Sequence, residues 1–253
     1  MKNFFLLFLI MMQYAAFSQT ADLIFEIETF SSDYEHMDQI ETAIGAHNKK
    51  YHPVGAHGVR VYNVVSGPNS GDYKWLMGPT PWSALDSRPD DDAHNNDWKN
   101  NVASKMEEGT KTEYIRYDPT RSRFPADFNL NKLFVRTIDV AKGKMDMAKG
   151  LLDKAKKVYT EKIPGQTFGV YFNELGSTTG ANDIMIVYFF DKWAWMGEDD
   201  SFDAKYDEVY GKGSAAQYWT DWREAYLAIE TEIWEYNEKL SGMPAAVKVA
   251  ERQ

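Results

Sequence analysis

The chain has 253 residues, a formal net charge of −10 and no cysteine. Without cysteine, disulfides, thiolate metal sites and cysteine nucleophiles are excluded. An acidic chain that lacks a basic stripe is repelled by phosphate backbones, so nucleic acid is not an expected partner. Aromatic residues make up 15% of the chain and include eight tryptophans, which indicates a sizeable apolar core rather than disorder.

The N-terminal segment, residues 1–18, has the features of an export signal. Lys2 supplies positive charge, residues 4–12 form an apolar run, and Ala16-Phe17-Ser18 offers small residues for cleavage. The run is shorter than the about 20 apolar residues that span a bilayer. We therefore expect a protein that is exported to the periplasm or the extracellular medium, without a membrane span. A lipid anchor is excluded because it needs a cysteine, and the oligomeric state stays open.

The sequence contains an internal similarity at a spacing of about 110 residues. Three short patterns recur in the same order: Val61-Tyr62-Asn63 as Tyr171-Phe172-Asn173, Trp82 as Trp193, and Asp97-Trp98-Lys99 as Asp221-Trp222-Arg223. A repeat of this length is a small domain rather than a solenoid unit. The similarity predicts two tandem units, residues 19–125 and residues 126–253.

Hydrophobic periodicity predicts the order βαββαβ in the first unit. The predicted strands are Leu23–Glu28, Val59–Val65, Tyr73–Met77 and Thr112–Tyr117. The first predicted helix follows a start signal at Ser31-Ser32-Asp33 and ends near Tyr51, and the second covers Ala93–Glu107.

The second unit repeats this order, with one conflict near its end. Strands are predicted at Leu133–Val140, Phe168–Leu175 and Ile184–Phe190, a helix at Met145–Tyr159, and a short extra helix within Asp199–Gly213. Apolar residues from Trp219 to Leu240 then step by three and four, which favours one long helix, Ser214–Leu240. Against this, Thr231–Tyr236 resembles the first unit's fourth strand. A last short strand is predicted at Ala246–Ala250.

The segment Ile184–Phe190 is apolar without a break, so both faces of that strand should be buried. Two helices cover only one face of a βαββαβ sheet, and the other unit is the natural cover for the second face. The predicted fold class is α+β, with two tandem ferredoxin-like units packed sheet to sheet as an intramolecular α/β barrel.

In both units a buried third strand leads into a tryptophan-bearing turn. Tyr73–Met77 leads to Trp82, and Ile184–Phe190 leads to Trp193. In this pattern the chain resembles the dimeric α/β-barrel superfamily, which includes antibiotic-biosynthesis-type monooxygenases and NIPSNAP-like, EthD-like and haem-handling proteins. The resemblance implies the barrel fold, whereas its members differ widely in activity.

The repeated residues are the candidate ligand-binding residues: Asn63, Trp82, Trp98, Asn173, Trp193 and Trp222. The tryptophans would line a pocket for a flat or apolar ligand, and the asparagines would supply hydrogen bonds at its mouth. The structural alternative is that the tryptophans pack the core and that the asparagines satisfy backbone groups where strands end.

All five histidines lie in the first unit: His36, His47, His52, His57 and His94. A metal or haem site would draw on His47, His52 and His57, since the resemblance implies a histidine ligand for haem. His47 and His52, however, are five positions apart, which poorly matches residues sharing one helix face. We therefore expect no metal and no cofactor, with haem as the alternative. Acidic runs follow Trp82 and Trp193 but lack EF-hand spacing, so capping is expected rather than calcium binding.

No phosphate-binding loop, HExxH or GxSxG motif occurs in the sequence. Two classes of function therefore remain. The first is an exported protein that binds a small apolar or aromatic molecule in a tryptophan-lined barrel pocket. The second is a dimeric α/β-barrel type of enzyme, monooxygenase-like or haem-linked.

Overall fold

The computed structural model describes residues 23–32, 34–107, 109–176 and 182–248. The predicted export signal and the last two residues of the predicted strand Ala246–Ala250 lie outside these ranges. None of the helices formed by the described residues has the length and apolar character needed to cross a membrane.

The first half contains four long strands and two helices, in the predicted order. They are β1 (Leu23–Phe30), α1 (Met37–Tyr51), β2 (Val59–Ser66), β3 (Tyr73–Pro81), α2 (Asp92–Asp97) and β4 (Lys111–Tyr117). Pro53 follows α1, and a glycine-rich turn separates β2 from β3, as expected for sequences that cannot continue a helix or a strand.

The second half contains the equivalent elements and one additional helix. They are β5 (Phe128–Asn129), β6 (Lys132–Val140), α3 (Met145–Lys162), β7 (Phe168–Asn173), β8 (Ile184–Phe190), α4 (Phe202–Tyr210), α5 (Ser214–Ala225), β9 (Tyr226–Tyr236) and β10 (Ala246–Val247). The predicted extra helix is therefore present as α4. Among the described residues, β5 and β10 form a separate two-stranded sheet.

Eight strands form one closed antiparallel barrel in the order β1-β3-β2-β9-β6-β8-β7-β4. Each half contributes four adjacent strands. The halves meet at two seams, where Tyr62 pairs with Tyr236 and Ile115 pairs with Asn173. The predicted α+β fold class, with two ferredoxin-like sheets closed into an intramolecular barrel, is confirmed.

Strand alternation divides the core into three apolar clusters. Inward side chains such as Ile27, Ile115 and Val187 fill the barrel. The outer face of the first sheet packs on α1, where Ile40 and Ile44 are fully buried. The outer face of the second sheet packs on α3, α4 and α5. The layers are therefore helix, sheet, sheet and helix, which leaves a sheet–helix interface in each half where a pocket can form.

The predicted long helix Ser214–Leu240 is wrong. The helix α5 ends at Ala225, and the chain continues directly into β9, which pairs with β6 on one side and β2 on the other. Closing the barrel requires a strand at this position, so eleven residues leave the helical pattern. The resemblance of Thr231–Tyr236 to the fourth strand of the first half was the correct indication.

The predicted helix Ala93–Glu107 is present only as three short turns of different pitch. The α-helical turn α2 passes into a π turn, Trp98–Val102, and then into a 3₁₀ turn, Ala103–Lys105. Asp91 caps α2 by accepting a hydrogen bond from the backbone N–H of His94 at 2.9 Å. The cap and the π turn fix how His94, Asp97 and Trp98 face α1.

Candidate functional site

The inside of the barrel contains an apolar cavity of about 380 Å³. It is lined mainly by aromatic and aliphatic side chains, and Arg60, Met243 and Pro244 also belong to its wall. The barrel interior also contains a buried ion pair, with Lys74 Nζ 3.7 Å from Glu232 Oε2. None of the six predicted ligand-binding residues lines this cavity.

The second half contains a pocket of about 330 Å³ between its sheet and its helices. Its walls are mostly aromatic, and they include Tyr159, Tyr188, Tyr218 and Trp222. Burial raises the pKa of the Tyr159, Tyr188 and Tyr218 hydroxyls, so these groups stay neutral hydrogen-bonding groups.

Two arginines line this second pocket, the half-buried Arg136 and the exposed Arg223. The guanidinium carbon of Arg136 lies 5.4 Å from the centre of the Phe134 ring, and its Nε is buried without a hydrogen-bond partner among the described residues. The pocket therefore combines aromatic walls with a cation that can accept an anionic partner.

The first half contains the corresponding pocket, which is more polar and more open. It is lined by Trp75 and Trp98, by Glu28 and Arg88, and by three histidines, His47, His52 and His94. The three histidines are buried, and each offers a ring nitrogen within 4.8 Å of the others. The Nε2 atoms of His52 and His94 are 3.3 Å apart.

Hydrogen bonds at Nδ1 orient two of these imidazoles. Nδ1 of His47 lies 2.7 Å from Asp97 Oδ2, and Nδ1 of His52 lies 3.0 Å from the backbone carbonyl oxygen of His57. Nε2 of His47 is buried without a hydrogen-bond partner in the described structure. Such backing by carboxylates and carbonyls is typical of histidines that bind a metal through the opposite nitrogen.

Burial controls the ionisation of this cluster. Desolvation lowers the pKa of His52 to about 4, although its hydrogen bond to the His57 carbonyl acts in the opposite direction. Desolvation also lowers the pKa of His47, and the hydrogen bond to Asp97 offsets only part of that effect. Glu28 in the same pocket has a raised pKa, first through burial and then through the negative charge of Glu26.

The five-residue spacing of His47 and His52 wrongly indicated that the two side chains lie apart. The argument against a shared site assumed that both lie on one helix, but α1 ends at Tyr51 and His52 has non-helical backbone angles. The changed chain direction brings the His52 ring centre to 5.2 Å from that of His47. The confinement of all histidines to one half was the sequence signal for this cluster.

The structure separates the six predicted ligand-binding residues into three pairs. Trp98 and Trp222 occupy equivalent places and line the pockets of the first and second halves, respectively. Trp82 and Trp193 are 37% and 51% exposed on 3₁₀ turns, outside both of these pockets.

The two predicted asparagines form hydrogen bonds within the fold. Asn63 Oδ1 accepts a hydrogen bond from Asn237 at 3.2 Å, and Asn173 Oδ1 accepts one from the backbone N–H of Leu175 at 3.0 Å. Neither residue lines either helix–sheet pocket, and the six predicted residues do not form one site.

The acidic runs that follow Trp82 and Trp193 cap and brace helices. In the second half, Asp199 and Asp200 accept hydrogen bonds from backbone N–H groups at the start of α4. Asp203 accepts a hydrogen bond from the indole N–H of Trp219 at 2.6 Å. In the first half, Asp90 accepts a hydrogen bond from Asn95 Nδ2 at 2.7 Å.

The residues present favour a directly bound ion over haem. The pocket of the second half has no histidine in its wall to serve as an axial ligand. In the first half, three imidazole nitrogens converge within 4.8 Å, whereas a porphyrin needs one axial ligand and a flat space beside it.

Comparison with known proteins gives similarity in structure only. No protein-family model matches the sequence, and a sequence search finds no similar curated protein. A candidate monooxygenase from Lactobacillus acidophilus superposes with a TM-score of 0.53 at 10% identity, covering 90% of this chain and all of the other. A candidate monooxygenase from Fusobacterium nucleatum gives a TM-score of 0.55 at 12% identity, covering 86% of this chain and 93% of the other.

A chlorite dismutase mutant from Candidatus Nitrospira defluvii is also similar. It gives a TM-score of 0.54 at 8% identity, covering 87% of this chain and 95% of the other. Together with the closed eight-stranded barrel, these neighbours show that the chain has the dimeric α/β-barrel fold. At these identities the likeness defines the fold and leaves the activity to be argued from the pockets.

Proposed function

We propose that the protein binds a small aromatic carboxylate in the pocket of its second half. The observation that carries this proposal is Arg136, a cation in the wall of an aromatic pocket that pairs with no carboxylate of the described residues. The predicted binding of an aromatic molecule in a tryptophan-lined pocket is retained for the sheet–helix pocket that contains Trp222.

The chemistry of the pocket supports a ligand with an anionic end and a flat apolar body. A partly desolvated guanidinium without a counter-ion is unfavourable, and a carboxylate can satisfy it with two parallel hydrogen bonds. The rings of Tyr188, Tyr218 and Trp222 offer the apolar surface that a flat ring system covers. A volume of about 330 Å³ favours a molecule of one or two rings.

Fluorescence titration with 2-naphthoate, and with naphthalene, which has the same ring system but no carboxylate, tests the proposal. We expect naphthoate to change the tryptophan emission and to bind more tightly than naphthalene. Arg136→Gln should weaken naphthoate binding about tenfold or more, which corresponds to about 1.4 kcal/mol, and should leave naphthalene binding unchanged. Equal affinities for both molecules in the wild-type protein would count against the proposal.

Arg60 provides the matched control because its guanidinium lies in the wall of the barrel cavity instead. Arg60→Gln should leave naphthoate binding unaltered. If Arg60→Gln weakens binding and Arg136→Gln does not, the ligand occupies the barrel interior and the proposed site is wrong.

An enzymatic role is the second candidate, and the monooxygenase and chlorite dismutase neighbours support it at the level of fold. Turnover would be visible as oxygenated product when the protein is incubated with the bound aromatic carboxylate in air. A Soret band in protein purified from its own host would identify the haem-linked form of this alternative.

A further inference from the structure

We infer that His47, His52 and His94 form a binding site for one divalent transition-metal ion of the zinc class, in the pocket of the first half. The site shares no residue with the aromatic pocket of the second half. Its existence therefore does not depend on the proposed carboxylate ligand.

The hydrogen bonds behind the rings determine which nitrogen of each imidazole is available. The carboxylate of Asp97 and the carbonyl of His57 are acceptors only, so Nδ1 of His47 and Nδ1 of His52 must carry hydrogen. In each neutral ring, Nε2 then has a lone pair and no proton.

Asn95 and Asp90 extend the same argument to His94. The amide Nδ2 of Asn95 donates to Asp90 Oδ1 at 2.7 Å, which fixes the orientation of the amide and turns its Oδ1 toward the His94 ring. That oxygen lies 3.3 Å from His94 Nδ1 and can only accept, so Nδ1 of His94 carries hydrogen as well.

The Nε2 lone pairs of these histidines therefore belong to one buried cluster, in which each ring offers a nitrogen within 4.8 Å of the others. Those of His52 and His94 are 3.3 Å apart, a distance at which two lone pairs repel, and Nε2 of His47 has no partner among the described residues. A buried acceptor without a donor costs about 1–3 kcal/mol. A cation at their centre removes the repulsion and satisfies all three nitrogens at once.

The spacing and type of these atoms favour a zinc-class ion. Zinc–nitrogen bonds of about 2.0–2.1 Å in tetrahedral geometry place the ligand nitrogens about 3.3 Å apart, which matches the His52–His94 distance. The His47 ring offers a nitrogen within 4.8 Å of the other two, so metal binding requires this ring to move closer to them. Three neutral imidazoles suit zinc, cobalt, nickel or copper better than calcium or magnesium.

Three protein ligands leave one position of a tetrahedral ion free. The histidines line a pocket that also contains Glu28 and Arg88, so the free position would be reached by water or a small substrate. Closed structural zinc sites use four protein ligands, whereas three plus an open position is the arrangement of catalytic sites. The pocket therefore has the composition of a reactive metal centre.

The second half serves as an internal contrast. Aligning Ile40 and Ile44 of α1 with Ala148 and Leu152 of α3 places Ala155 at the position of His47. The pocket of the second half accordingly has aromatic and aliphatic side chains where the first half has imidazoles. One chain should thus bind one ion.

Calorimetric titration of the metal-stripped full-length chain with Zn²⁺ tests the inference. We expect one ion per chain, and a loss of affinity of at least about 100-fold in His47→Ala, His52→Ala and His94→Ala. His36→Ala is the matched control, since His36 is exposed at the start of α1 and lies outside the cluster, and it should bind as the wild type does.

A second measurement guards against variants that fail to fold. Co²⁺ added to the wild-type chain should give the visible absorption bands of a tetrahedral nitrogen site, and His94→Gln, which retains polarity and similar size, should abolish them. Absence of one-to-one binding by the wild type, or equal affinity in His94→Gln, would overturn the inference. A proton shared between His52 and His94 would then be the occupant of the cluster.

Discussion

The carboxylate of Asp97 lies 2.7 Å from Nδ1 of His47, although 50 residues of chain separate the two. Asp97 belongs to the pattern Asp-Trp-basic that recurs at Asp221, but no histidine stands beside the second aspartate, which accepts a hydrogen bond from Gln217 instead. Two residues at equivalent places in the two halves thus have different partners, and this difference can be tested.

Replacing Asp97 by asparagine should weaken metal binding at the three-histidine cluster. The amide can present its N–H₂ to the imidazole, which removes the preference for hydrogen on Nδ1 of His47 and with it the lone pair on Nε2. Loss of such a partner lowers metal affinity about 10–100-fold. Zinc titration of Asp97→Asn measures the effect, with Asp221→Asn as the control. Equal affinities of the two variants would contradict the prediction.

The ion pair inside the barrel should be costly to break on one side only. Lys74→Met leaves the buried carboxylate of Glu232 without its counter-ion and should lower the free energy of unfolding by about 3–5 kcal/mol. Lys74→Met combined with Glu232→Gln should regain part of this loss, because the amide keeps an acceptor for the Trp234 indole, 2.6 Å away from the carboxylate. Urea denaturation measures both variants.

The exposed pair Lys157–Glu161 provides the comparison for this experiment. Its charged atoms are 3.9 Å apart on the surface of α3. Lys157→Met should therefore change stability by less than about 0.5 kcal/mol. If Lys74→Met changes the free energy of unfolding as little as Lys157→Met does, the ion pair in the barrel is effectively hydrated.

The first half alone should not behave as a monomer. In residues 19–125, β2 and β4 lose their seam partners β9 and β7, and inward side chains such as Ile27, Tyr62 and Ile115 lose their cover. Exposed strand edges and a bare apolar face favour self-association, so we expect a dimer that pairs β2 with β4 of the second copy, or insoluble protein. Light scattering on a sizing column distinguishes these outcomes from a folded monomer, which would contradict the prediction.

Stability should decrease in acid partly because of Asp118. Burial alone would raise the pKa of this carboxyl, but hydrogen bonds from Thr120 and Arg121 outweigh burial and lower it. A carboxyl with a lowered folded pKa stabilises the fold fully above its unfolded pKa of about 3.9 and loses that contribution as the pH falls through the folded pKa. Thermal melts between about pH 5 and pH 2 should therefore fall more steeply for the wild type than for Asp118→Asn. Parallel curves would contradict this assignment.

The barrel could be predicted from the sequence because the strand pattern that requires it is local and occurs in both halves. The uninterrupted apolar strand Ile184–Phe190 needs cover on both faces, and only a second sheet supplies it. The strand β9 was predicted as helix because residues four positions apart lie on the same face in both a helix and a strand. Ile229 and Ile233 are such a pair. Tyr226 and Ile229, three apart, share a face because a bulge interrupts the pairing of β9 with β6.

The three-histidine cluster could not be predicted from the sequence, for a different reason. His52 joins it because the helix ends one residue earlier, and His94 joins it because a short turn 42 residues later packs against α1. Element ends are the least predictable part of a sequence analysis, and the contact between α1 and α2 is a tertiary relationship. In the sequence, this cluster is indicated by the confinement of all five histidines to the first half.

The two seams of the barrel also imply an order of assembly. Beside the seam between β4 and β7, Arg116 contacts Glu174 across 58 residues, while beside the seam between β2 and β9, Asn63 contacts Asn237 across 174. Because the entropy lost in closing a loop grows with the logarithm of its length, the second closure is less favourable by about 1 kcal/mol. We expect β4 and β7 to join first, so that the nascent barrel is an open, curved sheet until β9 reaches β2. The histidines belong entirely to segments that precede the first seam, whereas the aromatic pocket contains residues of β9, the strand that closes the ring.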